Sequence, residues 1–81
     1  MALHLVIEDT LYTFDMLQEY AIYVPSKEYC HYARCRETGE YAWIDTHNGE
    51  NHVQFEGNST RVPAIAVYDS IMIERLRDRC S

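Results

Sequence analysis

The chain has 81 residues, enough for one domain spanning residues 1–81 and too few for two cores. Seven Lys and Arg stand against thirteen Asp and Glu, a formal charge of −6 with the four His neutral, and 47% apolar with 25% charged residues is globular usage that argues against a disordered chain. The acid excess argues against direct nucleic-acid binding, because phosphate contacts need Lys or Arg, and no apolar run approaches the roughly 20 residues of a membrane helix.

The opening MALHLVIED has no basic n-region and turns acidic at once, so no export signal is expected. Leu3, Leu5 and Ile7 alternate with Ala2, His4 and Val6, which predicts a strand over about residues 2–8. Asp9 and Thr10 offer helix-capping oxygens. Leu11, Phe14, Leu17 and Ala21 follow at three- and four-residue steps, which predicts a helix over about 10–21, ended by Pro25 and Ser26.

Two Gly-ended loops, Glu37-Thr38-Gly39 and His47-Asn48-Gly49, suit three-residue hairpins and predict strands over about 29–36, 40–46 and 50–56. Arg36 then pairs with Glu40, and Thr46 with Glu50. In that register Ala33/Trp43/Val53 and Cys35/Tyr41/Phe55 form an apolar face, with Tyr32/Ile44/His52 and Arg34/Ala42/Gln54 on the other. A two-residue Asn48-Gly49 turn would instead pair Trp43 with Gln54 and Ile44 with Val53, which breaks this alternation, so the longer loop is preferred. Trp43 is accordingly expected against the helices, beside Tyr41, Val53 and Phe55.

Asn58-Ser59-Thr60 reads as a loop, and a long helix over about 61–79 is favoured, with Pro63 in its first turn and Ile65, Met72, Leu76 and Cys80 on one face. The alternative is a strand over about 62–68 and a helix from Ser70. The expected class is α+β, in the order β-α-β-β-β-α. It comprises a three-stranded meander plus an N-terminal strand, with two helices on one face of the small antiparallel sheet.

Three cysteines, Cys30, Cys35 and Cys80, are an odd number, which suits free thiols in a reducing cytoplasm. Cys30-x4-Cys35-x11-His47-x4-His52 approaches a zinc-finger spacing. However, two cysteines five apart on one strand face opposite ways, about 16 Å apart at ~3.3 Å per residue, too far to share an ion. His31 opposite Asp45 is an acid–base candidate without a nucleophile, a phosphate loop or a second carboxylate, so a polar pair closing the core is the simpler account. No catalytic residue, cofactor or metal ligand is assigned, and a non-enzymatic protein is expected.

The acids are unevenly spread. Glu8, Tyr12, Asp15 and Glu19 form one line on the expected first helix, and Glu37, Glu40, Asp45, Glu50 and Glu56 fall in a stretch without Lys or Arg. Such a surface suits a basic groove on a partner. Seven tyrosines are many for this length, and Tyr32 with Arg34 and Ile44 makes a patch of hot-spot composition on the outer sheet face. The partner-binding candidates are therefore Asp15, Glu19, Tyr32, Arg34, Glu40, Ile44 and Glu56.

In size and acidic composition the whole chain resembles the small inhibitors that bacteriophages encode against host defence complexes, such as anti-CRISPR proteins; no motif carries that resemblance. It implies an inhibitor that occludes a surface of a larger complex, with carboxylates where nucleic-acid phosphates would lie. The alternatives are a homodimeric structural or regulatory subunit and a zinc-binding Cys/His domain.

Overall fold

The computed structural model describes residues 2–18, 22–24, 28–47 and 50–79, with the backbone alone at 22–24, 28–29, 47 and 79. The elements are β1 (Ala2–Ile7), β2 (Thr10–Met16), β3 (Ile22–Val24), β4 (Glu28–Cys35), β5 (Tyr41–His47), β6 (Glu50–Phe55), β7 (Val62–Ala66) and α1 (Ser70–Arg79). Glu19, Ala21, Pro25, Ser26, Asn48, Gly49 and Cys80 lie outside the described residues.

The strands run in the order β2-β1-β7-β6-β5-β4-β3, and a further β2–β4 pairing closes six of them into an antiparallel barrel. Phe14, Asp15 and Met16 pair with Cys35, Arg34 and Ala33. This seam extends through Leu17 N–H to the Tyr32 carbonyl and Arg36 N–H to the Thr13 carbonyl. β3 pairs with the first half of β4, beyond the seam. Closure leaves none of the six barrel strands as a free edge. The expected α+β class with two helices on one face is thus overturned: the fold is an all-antiparallel barrel with one short helix among the described residues.

The stretch expected to be the first helix is β2. Tyr12, Phe14 and Met16 pack into the barrel. Leu11 and Thr13 point the other way and are still buried, 4% and 2% exposed, on the strand against which α1 packs. A strand buried on both sides loses its two-residue alternation, and its apolar positions can then mimic a helical stripe. Asp9 and Thr10 cap no helix. Glu8 and Asp9 form a two-residue hairpin turn, φ +48° and +67°, between the paired Ile7 and Thr10. Left-handed conformations at both central positions define a type I′ turn.

The two central hairpins differ from expectation by one residue, and in both the displaced strand is β5. His31, Tyr32, Ala33 and Arg34 face Ile44, Trp43, Ala42 and Tyr41. The β4–β5 loop has four residues, Arg36 to Gly39, bounded by Cys35 N–H to Glu40 carbonyl and ended by Gly39 in the left-handed region at φ +76°. On the other side Trp43 faces Gln54, Ile44 faces Val53 and His47 faces Glu50. That register leaves two residues, Asn48 and Gly49, between the strands, the arrangement that alternation had argued against. Asn-Gly is the strongest short hairpin signal, and here it prevails over the face pattern.

The slip turns Ala42 and Ile44 inward and Tyr41 and Trp43 outward. A narrow barrel accounts for it. Tyr12, Phe14 and Phe55 already meet there, with centroids 6.0 to 6.5 Å apart. Small side chains oppose them: Cys35 lies across from Phe14, and Ala42 across from Phe55. An indole at position 43 belongs outside, and Trp43 is half-buried there rather than packed under helices.

Residues 61–79 are likewise not one helix. Val62–Ala66 form β7, between β1 and β6, and Asp69 caps α1 by accepting from Ile71 and Met72 N–H at 2.8 and 3.2 Å. No helix of the described residues is long and apolar enough to cross a membrane.

Candidate functional site

Alternation along β4 puts Ala33 and Cys35 inside and Tyr32 and Arg34 outside. The β5 register brings Trp43 and Tyr41 directly across from them. Tyr32 lies against both neighbours: nearly parallel to Tyr41 at 5.4 Å and 12°, and tilted against Trp43 at 4.5 Å and 40°. Arg34 places its guanidinium carbon 5.9 Å from the Tyr41 ring centre and donates from Nε to the Gly39 carbonyl at 3.3 Å. Three rings and one guanidinium therefore form a continuous outer patch, with Tyr41 40% exposed.

Glu56 sets one border of the patch. Its backbone N–H donates to the Tyr41 carbonyl, and its carboxylate accepts the Tyr32 hydroxyl at 2.6 Å. The bond to that carboxylate, together with burial and the nearby negative charge, pushes the Tyr32 phenol up to about 12. The phenol is thus held neutral and oriented. Gln54, across from Trp43, donates to the Asn58 carbonyl and continues the polar border.

The other expected partner-binding residues are scattered. Glu40 is exposed next to Tyr41 in sequence. Ile44 is 2% exposed inside the barrel and takes no place on the patch. Asp15 lies on β2, where Arg36 Nε and Nη2 donate to its two oxygens at 2.8 and 2.6 Å. That bidentate pair holds the Asp15 carboxyl below its ordinary range. The helical line of Glu8, Tyr12, Asp15 and Glu19 does not exist: Glu8 is in a turn, Tyr12 packs against the barrel core, and Glu19 lies outside the described residues.

The expected His31–Asp45 pair is also replaced, since His31 faces Ile44 and Asp45 faces His52. Asp45, 9% exposed, receives Arg61 Nη2 at 3.0 and 2.9 Å to its two oxygens and stands 3.4 Å from His52 Nδ1. Arg61 directly precedes β7, so this cluster ties β5 and β6 to the next strand. Cys30 and Cys35, both buried, fall on opposite faces of β4 by parity, which separates the two sulfurs of the zinc reading. The His47 side chain lies outside the described residues.

No family model matches the chain, and neither a curated protein nor a solved structure matches it. The functional reading rests on the site alone. Sequence reasoning missed Tyr41 and Trp43, which complete the patch, and Arg61, which holds Asp45. The signal for the first two was Asn48-Gly49 read as a two-residue turn.

Proposed function

We propose that this protein is a non-enzymatic, cytoplasmic protein-interaction module, an inhibitor that occludes a basic, nucleic-acid-binding surface of a larger partner. The observation carrying this reading is the outward stack of Tyr41, Tyr32 and Trp43 with Arg34 beside it. Rings locked against one another have little side-chain freedom left to lose on binding, and Tyr, Trp and Arg are the residue types that dominate interface energetics. The chain's charge of −6 complements a basic groove and speeds encounter with it. The phage-inhibitor resemblance adds size and composition to this reading.

The test is affinity capture with the intact chain from nuclease-treated bacterial lysate, followed by binding kinetics with the protein captured. Tyr41→Ala or Arg34→Ala should raise the dissociation rate by about 10-fold or more. Glu40→Lys should mainly slow association, and added salt should do the same. If these three variants bind as the parent does, the patch is not the interface.

A second reading, a homodimeric subunit, is favoured by a different observation. Ile65, Tyr68, Ile71 and Met72 are 70%, 83%, 61% and 53% exposed, an unusual group of apolar side chains at the β7–α1 junction. Light scattering of the parent and of Met72→Lys distinguishes the two readings: a dimer that the substitution dissociates supports the subunit, and a monomer removes it.

A further inference from the structure

Two complementary surfaces adjoin on one side of the barrel. β1 and β7 are paired neighbours, with Val6 opposite Ile65. On the outer wall where they meet lies an open groove of about 350 Å³. Val6, Val62, Pro63 and Ile65 line it with apolar surface, and the exposed Glu8-Asp9 turn borders it with two carboxylates. α1 lies against β2, the strand on the other side of β1. The helix leaves Ile71 and Met72 exposed. Arg75, also exposed, follows them at four- and three-residue steps, so the three share one side of the helix. Among the described residues, none of Glu8, Asp9 and Arg75 makes an ion pair.

We infer, building on the homodimer reading, that the groove receives α1 of a second copy: Ile71 and Met72 of each copy lie on the other's Val6, Pro63 and Ile65, and Arg75 of each meets the other's Glu8-Asp9 turn. Charge complementarity selects this occupant. The groove is apolar with an acidic border, and the helix face is apolar with a basic neighbour, in a chain whose acids outnumber its cations by thirteen to seven. Both surfaces lie on the same side of one molecule, so a single twofold axis brings each against its complement, and every contact is made twice. The net charge of −6 on each copy opposes this pairing only weakly, because charges beyond about 8–10 Å are screened near physiological ionic strength. In the strand order β1 and β7 lie across the closed barrel from β5 and β4. The pairing therefore leaves the Tyr32, Tyr41 and Trp43 patch uncovered on both copies.

The test is sedimentation equilibrium of the intact chain over a range of concentrations, with the parent, Arg75→Glu, Glu8→Lys and the double variant. All substituted side chains are exposed, and circular dichroism checks that each variant is folded. The parent should dimerise. Each single reversal should weaken the dimer about 10-fold or more, because two contacts turn from attraction to repulsion at once, and the double variant should recover most of that loss. A parent that stays monomeric at millimolar concentration overturns both this inference and the homodimer reading. A dimer indifferent to both reversals, or one that both weaken without recovery in the double variant, overturns the α1-in-groove arrangement and leaves the homodimer reading standing.

Discussion

Tyr32 and Trp43 face each other across β4 and β5 on the outside of the barrel, with ring centroids 4.5 Å apart. The pairing reports register as well as contact. Had β5 been displaced by one residue, Tyr32 would face Ile44 and the indole would be directed inward. The position of this one ring therefore encodes which side of β5 is the core.

A truncation pair reads that register. Phe14, fully buried, should lose about 3–5 kcal/mol as Phe14→Ala, enough to unfold a domain of this size. Trp43→Ala should cost about 1–2 kcal/mol, since it removes cross-strand packing and leaves no core cavity. Urea denaturation followed by circular dichroism gives both values; equal losses would place Trp43 in the core.

The β1–β2 turn holds a Glu and an Asp with left-handed backbones, φ +48° and +67°. That conformation costs an ordinary L-residue about 1–2 kcal/mol, and Asn-Gly is the pair that suits it. Replacing Glu8-Asp9 with Asn-Gly should stabilise the barrel by about 1 kcal/mol, seen as a higher urea midpoint with an unchanged slope. A lower midpoint would show that this turn is not type I′.

Tyr32 should ionise late. Its phenol is pushed up to about 12 by the hydrogen bond to Glu56, with burial and charge adding to it. A raised pKa on an acid means that the folded state holds the proton more tightly than the unfolded one. The contribution is complete below about pH 10, the unfolded tyrosine value, and is lost as pH rises through about 12. Absorbance titration near 295 nm should show a late step that Tyr32→Phe removes and Glu56→Gln moves earlier.

The β2–β4 seam should carry an acid-sensitive contribution. Arg36 holds the Asp15 carboxyl below its ordinary 3.8, so the pair favours the fold above that pH. The contribution is lost as pH falls through the lowered value of the folded state. Arg36→Gln should return the Asp15 pKa, measured from its carboxyl carbon by NMR, toward 3.8. An unmoved value would mean that the pair is absent in solution.

Several features are legible in the chain by itself. Leu3, Leu5 and Ile7 announce β1, and their faces hold in the fold. Ala33 and Cys35 on β4 and Val53 and Phe55 on β6 share the inner face that alternation assigns to them, and Tyr32 and Arg34 take the outer one. Gly39 takes the left-handed position that a Gly-ended loop requires. These are local matters: a two-residue period on a strand with one buried face, and a backbone angle that glycine adopts without penalty.

Tertiary structure decided the rest. Residues 10–16 follow a helical spacing, yet they form a strand because both of its sides are covered, by the barrel core within and at α1 without. β5 carries apolar residues on both parities, Ala42 and Ile44 against Tyr41 and Trp43, so hydrophobicity could not orient it. The volume available inside a closed six-stranded barrel could, and that volume exists only once β2 has joined β4, strands whose paired residues Phe14 and Cys35 are far apart in sequence. Half of the candidate site was hidden for the same reason, because a one-residue slip sends every side chain of a strand to the opposite face.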